Sequence, residues 1–197
     1  MTANVTPERS GLWLMAAGLV LLAASAGLMG YNLLYREKRA ADNTEHVRAR
    51  LQQEFILSEP LDADLREMQS VEIDGTAYVG TVEIPSLELS LPVARDFSYE
   101  TLDSSVCRYA GSVLEQDMII AGHNYRCHFK NIGTLAAGDA VTFTDVTGVE
   151  YSYAVAQVEI IPGTAADRLV WTEPGLTLFT CTYDGARRYV VRCTPEE

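Results

Sequence analysis

Paired cysteine spacings are missing from this chain. Its four cysteines, Cys107, Cys127, Cys181 and Cys193, form no C-x-x-C pair, which excludes a zinc-knuckle or thioredoxin-like redox motif. A single Cys107–Cys127 disulfide is one reading of them. Four unpaired thiols, three of them buried, is the favoured one. No cysteine precedes Cys107, so the N-terminal part carries no thiol for a lipid anchor. Basic residues are outnumbered, 15 against 27 acidic, and the net charge is −12. A nucleic-acid partner normally needs a basic patch, and this balance argues against one. Internal repeats and low-complexity tracts are absent. No acidic cluster marks a calcium site, and no metal or other cofactor is expected.

Charge is also absent from residues 11–34. This run is rich in leucine, alanine, valine and methionine, with Trp13 near one end and Tyr31 and Tyr35 near the other. Its 24 residues suffice to cross a bilayer, which takes about 20. The aromatics suit interfacial positions. A cleavable signal is the rival reading, because Ala24-Ser25-Ala26 resembles a cleavage site. The apolar run continues past that site through Leu33 and Leu34, which favours an uncleaved anchor. Arg9 precedes the span, while Arg36, Lys38 and Arg39 come after it. Charge counting alone therefore places the C-terminal part in the cytoplasm.

The chain beyond the span suits a single domain of ordinary size. Residues 36–57 are charged and lack glycine and proline, so they predict a juxtamembrane helix or stalk with Leu51, Phe55 and Ile56 as apolar points. Residues 58–68 are acidic and read as a linker. The globular part starts near Val71. Strands are expected at 78–84, 87–91 (ending at Pro92), 117–121, 141–144, 150–161, 176–181 and 188–193. Short helices or turns are expected at 99–106 and 129–135. Residues 145–148 read as a hairpin turn and 162–175 as a loop holding Trp171. Many short strands with few helices predict a mostly antiparallel β-barrel or sandwich.

Three residues at strand ends carry the chemistry. Cys181 closes an alternating strand just before the Asp184-Gly185 turn, where side chains leave the core. A thiolate there is a strong nucleophile; a lone cysteine would more often be a small buried residue. His123 comes directly after Gly122 at another strand end. Imidazole can give a proton to a leaving amine and later take one from an incoming nucleophile. His128 sits in the next helix or loop and His46 in the stalk, so both are set aside. Arg188 opens the last strand, and a tight turn would bring it beside Cys181. Its guanidinium can donate to a developing oxyanion. Arg187 points to the opposite face, and Arg192 lies roughly 13 Å further along the strand.

These residues carry a resemblance to the sortases, membrane-anchored cysteine transpeptidases of Gram-positive bacteria. Thr177-Leu178-Phe179-Thr180-Cys181 is similar to the family's TLxTC motif. Arg188-Tyr189-Val190-Val191 resembles its arginine-led last strand, and Ala121-Gly122-His123-Asn124 its histidine motif. The 80–85 and 91–93 segments resemble its opening strands. The match runs from about Val71 to Cys193 in the right order. It implies an eight-stranded β-barrel with short helices behind one N-terminal transmembrane helix. It divides the chain into a tail (1–10), an anchor (11–35), a juxtamembrane helix and linker (36–70) and a catalytic domain (71–197).

The resemblance further implies that Cys181 attacks the Thr–Gly bond of an LPxTG-like sorting signal. His123 then protonates the leaving amine, and Arg188 stabilises the oxyanion. Thr180 and Asn124 are assigned to substrate binding. Partners are secreted proteins with a C-terminal sorting signal and an amine from a cell-wall precursor or a pilin. The catalytic domain lies outside the cell, against the charge count. The Gly-His-Asn and Thr-Cys-Thr-Tyr strings resemble class B members, yet the 162–175 loop is short for the long helix of that class. The class and sorting motif stay open. The alternative is a non-catalytic anchored β-domain that binds wall or pilin components. A different cysteine enzyme fits less well. The L,D-transpeptidase string Ser-His-Gly-Cys is absent, and papain-like enzymes place cysteine before histidine.

Overall fold

The computed structural model describes residues 9–57 and 67–196. Residues 1–8, Glu197 and most of the expected linker (58–66) lie outside them, as do the side chains of Phe55 and Ile56. Strands form where β-branched and aromatic residues gather between glycine and proline breaks. They are β1 (Val71–Ile73), β2 (Thr76–Ile84), β3 (Leu89–Ala94), β4 (Val106–Ala110), β5 (Asp117–Ala121), β6 (Ala140–Asp145), β7 (Glu150–Pro162), β8 (Gly175–Cys181) and β9 (Arg187–Pro195). Two α-helices accompany them, α1 (Arg9–Leu57) and α2 (Tyr99–Leu102).

Eight strands close a barrel in the order β2-β3-β4-β5-β8-β9-β7-β6, with β6 returning to β2. β1 extends β2 as a short hairpin. Pairing is mostly antiparallel, as expected. The parallel pairs β3–β4 and β5–β8 are the exceptions. Alternation splits each strand between two apolar clusters. Val82, Leu91, Met118, Ile120, Phe143, Leu178 and Val191 fill the barrel interior, joined by Phe129 and Ile132 from the connection after β5. Ile119, Ala121, Phe179 and Val190 belong to a second cluster on the outer wall.

Two local features depart from the sequence reading. Pro92 does not end its strand. It pairs with Thr81 of β2, and the β3–β4 ladder begins only at Val93. The β3–β4 ladder therefore does not need the missing Pro92 N–H. The short helix expected at 99–106 stops at Leu102, and residues 106–110, which carried no strand assignment, form β4, antiparallel to β5.

The chain divides into two compact units between Lys38 and Arg39. In the first, Leu12, Trp13, Leu19, Leu22 and Leu34 are exposed. The helix that carries them is the one among the described residues long and apolar enough to cross a membrane. In the second, the stretch of α1 from Arg39 onward packs on the barrel rather than standing apart as a stalk. Ala40, Val47 and Leu51 are buried, the last two within the outer cluster with Ile73 and Tyr78. Asn43 Nδ2 donates to Ser104 O at 2.9 Å. Burying a side chain such as Val47 or Leu51 contributes about 1.5–3 kcal/mol.

Candidate active site

The turn between β8 and β9 brings Cys181 to Arg188. Thr182 N donates to Arg187 O at 2.8 Å, and Gly185 N to Thr182 O at 2.9 Å. Gly185 sits at φ +69°, a conformation that glycine adopts without strain. The Asp184 carboxyl accepts from Thr182 Oγ1 and from Ala186 N. Those hydrogen bonds, Thr182's first, hold it below the usual carboxylate range. The turn sets the register, and Cys181 pairs directly with Arg188. Paired Cα atoms lie about 5 Å apart and their side chains share a face. Cys181 is exposed at its strand end.

The parallel β5–β8 pair supplies the histidine. Ala121 is in register with Phe179, and Gly122 N donates to Phe179 O at 3.0 Å. Two residues beyond each partner stand His123 and Cys181, so the strand ends deliver both to one rim. A Cβ on Gly122 would lie 2.5 Å from the Phe129 ring, so the chain passes there only as glycine.

Arg188 is laid on the outer wall. Its Cζ stands 5.8 Å from the centroid of Phe179. Its Nε and Nη1 are shielded from solvent and make no hydrogen bond within the described protein. Buried donors left unpaired are uncommon, and here they face the side of the sheet that carries Cys181. The rival arginines differ. Arg187 is exposed. Arg192 is buried and committed: Nε and Nη2 donate to Glu159 Oε1 at 3.2 and 3.1 Å, and Nη1 donates to Leu169 O at 2.6 Å and Thr177 Oγ1 at 3.0 Å. It anchors the 163–174 loop, which carries only a short 3-10 turn, Ala166–Leu169.

The other candidates fall in different surroundings. Asn124 is half-buried, with its Oδ1 shielded and unpaired. Thr180 is buried and shares the inward alternation of Leu176 and Leu178, on the face of β8 opposite Cys181. None of the four cysteines is in a disulfide, so no Cys107–Cys127 bridge forms. Two are buried rather than three, because Cys127 is half-exposed. Burial pushes the Cys107 and Cys193 thiols up to about 12, which keeps both protonated at neutral pH. Among the described residues no group of three or more His, Cys, Asp or Glu could hold a metal ion.

His128 is buried beside this rim, 5.5 Å from Tyr125 between ring centroids, with neither ring nitrogen hydrogen-bonded. Burial first, then His123, push it down to about 4. An unfolded histidine binds its proton near pH 6.5. Between those values the unfolded chain holds the extra proton, so stability falls as pH drops from about 6.5 towards 4. The shift corresponds to roughly 3 kcal/mol. Urea midpoints of wild type and His128→Phe should diverge over this window, wild type losing stability more steeply. Parallel pH dependence of the two proteins would contradict the assignment.

Sequence reasoning missed Asp103 and an aromatic row on the outer wall. Asp103 Oδ1 lies 3.1 Å from His123 Nε2. Phe97, Tyr109 and Phe179 succeed one another edge to face at 5.2 and 5.3 Å. The signal for Asp103 was its position before β4, legible only once β4 is known to pair with β5.

Comparison with known proteins bears on the family and the fold. Residues 82–196 match the sortase domain family. The chain is 28% identical to Sortase A of Bacillus anthracis over 193 residues, covering 88% of this chain and 90% of that protein. Sortase C1 of Streptococcus agalactiae is 27% identical, with a TM-score of 0.56 over 64% of this chain and 71% of its own. A Clostridium perfringens sortase D5 transpeptidase shares the fold at 20% identity, with a TM-score of 0.59 over 83% of this chain and 99% of that one. With the family match extending over more than half of its length, the chain belongs to the sortases, a class of cysteine transpeptidases.

Proposed function

We propose that this protein cleaves an LPxTG-like sorting signal and transfers the acyl group to an amine, through a thioester on Cys181. The observation that carries this is the register. One pairing sets Arg188 opposite Cys181, and the adjacent parallel pair ends two residues short of both His123 and Cys181. The Cys181 thiolate attacks the threonine carbonyl, and the tetrahedral oxyanion forms within reach of the unspent Arg188 donors. His123 gives a proton to the glycine nitrogen as the C–N bond breaks. An acceptor amine then attacks the thioester, loses its proton to His123 and expels the thiolate. Asn124 borders the site from the histidine side, and its unpaired Oδ1 can accept from a substrate N–H. Thr180 supports the groove from inside the wall.

Sorting-signal substrates and wall or pilin amines lie outside the cell. We therefore place the N-terminus inside, the 11–35 anchor in the membrane and the 71–197 domain outside. Protease added to intact cells should digest the domain. Full protection would favour the inward placement that the charge count gives. The activity is tested by incubating the full chain in detergent with a sorting-signal peptide library and an amine acceptor. Products in which the residues after threonine are replaced by the acceptor support it. Unchanged peptides across the library count against it.

A further inference from the structure

We infer that Asp103 is a positioning residue that holds His123 for proton transfer. The inference rests on the transpeptidase reading, and its test below needs no sorting signal, so the two can fail separately. The sheet explains the contact. β4 and β5 are antiparallel, with Cys107 opposite Ala121. Residues just before β4 therefore lie beside residues just after β5. Asp103 ends α2 three residues ahead of β4, and His123 lies two residues past β5. The parallel β5–β8 pair brings the strand end that carries Cys181 alongside the one that leads to His123.

The carboxylate is well fixed. Asp103 N donates to Tyr99 O at 3.2 Å, and Ser98 caps the first turn by accepting from Thr101 N at 3.0 Å. The next two residues are tied down as well: Ser105 Oγ donates to Pro92 O at 3.0 Å, and Ser104 O accepts from Asn43 of α1. Tyr125 OH donates to the same Asp103 oxygen at 3.4 Å, and its ring lies 4.8 Å from the imidazole. The His123 and Asp103 side chains are 29% and 40% exposed, so the pair is half screened by water, and its main effect is orientation.

A carboxylate at Nε2 keeps the neutral ring in the Nε2–H form. That leaves Nδ1 to exchange the proton with the reacting groups. It also favours the imidazolium that must exist when the amine departs. On its own connection the ring is followed by the titratable or charged Tyr125, Arg126, Cys127 and His128, and the neighbouring strand ends carry Cys181 on β8 and Arg188 on β9. His128 is neutral at working pH, and Arg188 opposes the imidazolium charge. The hydrogen bond to Asp103 favours the Nε2–H tautomer of the ring, because a carboxylate can only accept.

Histidine-labelled full-length protein in detergent micelles gives the test by NMR, since the chain has only three histidines. The neutral His123 ring should be the Nε2–H tautomer. Asp103→Asn keeps the shape but drops the charge. It should lower the His123 titration midpoint by about half a unit or more and mix the tautomers. Asp103→Glu, which keeps the charge, should recover most of the midpoint. An unchanged midpoint and tautomer in Asp103→Asn would overturn the inference, and so would a Glu variant that behaves like the Asn one.

Discussion

Cys181→Ala is expected to abolish transpeptidation while leaving the barrel folded. Removing a nucleophile from a covalent mechanism costs on the order of 10⁶-fold in turnover, which takes the rate to background. No other thiol can substitute. Cys107 and Cys193 are buried and held protonated, and Cys127 lies on the connection after β5 instead of beside Arg188. Cys181 is exposed at the end of β8, so trimming its sulfur opens no cavity. The circular dichroism spectrum and melting temperature should match wild type. A variant that turns over at the wild-type rate would exclude the thioester route, and a variant that unfolds would show that Cys181 has a structural role instead.

Arg188→Ala should lower turnover about 10²–10³-fold, the cost of losing an oxyanion donor. The same change removes the cation–π contact with Phe179, worth about 0.5–2 kcal/mol. Stability should therefore fall slightly while the rate collapses. Arg188→Lys retains charge but not the planar fork, and should recover only part of the rate. Arg187→Ala should stay near wild type, because that side chain is exposed on the opposite face. Steady-state rates for the four proteins separate these cases. A collapse in Arg187→Ala with Arg188→Ala intact would mean that the strand faces are assigned the wrong way round.

The final hairpin was the most legible part of the sequence. Thr177 to Cys181 alternates cleanly, the Asp184-Gly185 turn is short, and the register of Cys181 with Arg188 results from both. The β5–β8 neighbourhood was not visible from local pattern. Parallel pairing joins segments far apart in the chain, and no turn announces it, so the placing of His123 came from resemblance. Asp103 escaped for a related reason: it falls inside the short helix expected at 99–106, and the strand after it, Val106–Ala110, was not foreseen. Pro92 misled in the other direction, since a proline is harmless where no neighbour yet needs its N–H. In the helix from Arg39, Leu51 was legible as an apolar point, but its packing also depends on Ala40 and Val47, which composition alone does not single out.

The most direct test is the intact mass of the full chain after mixing with an LPxTG-like peptide and no acceptor. The account predicts an adduct equal to the peptide through its threonine, less water. It should sit on Cys181, be released by hydroxylamine and be absent from Cys181→Ala. An adduct that persists in Cys181→Ala, or a wild-type protein that cleaves the peptide with no adduct on Cys181, would contradict it.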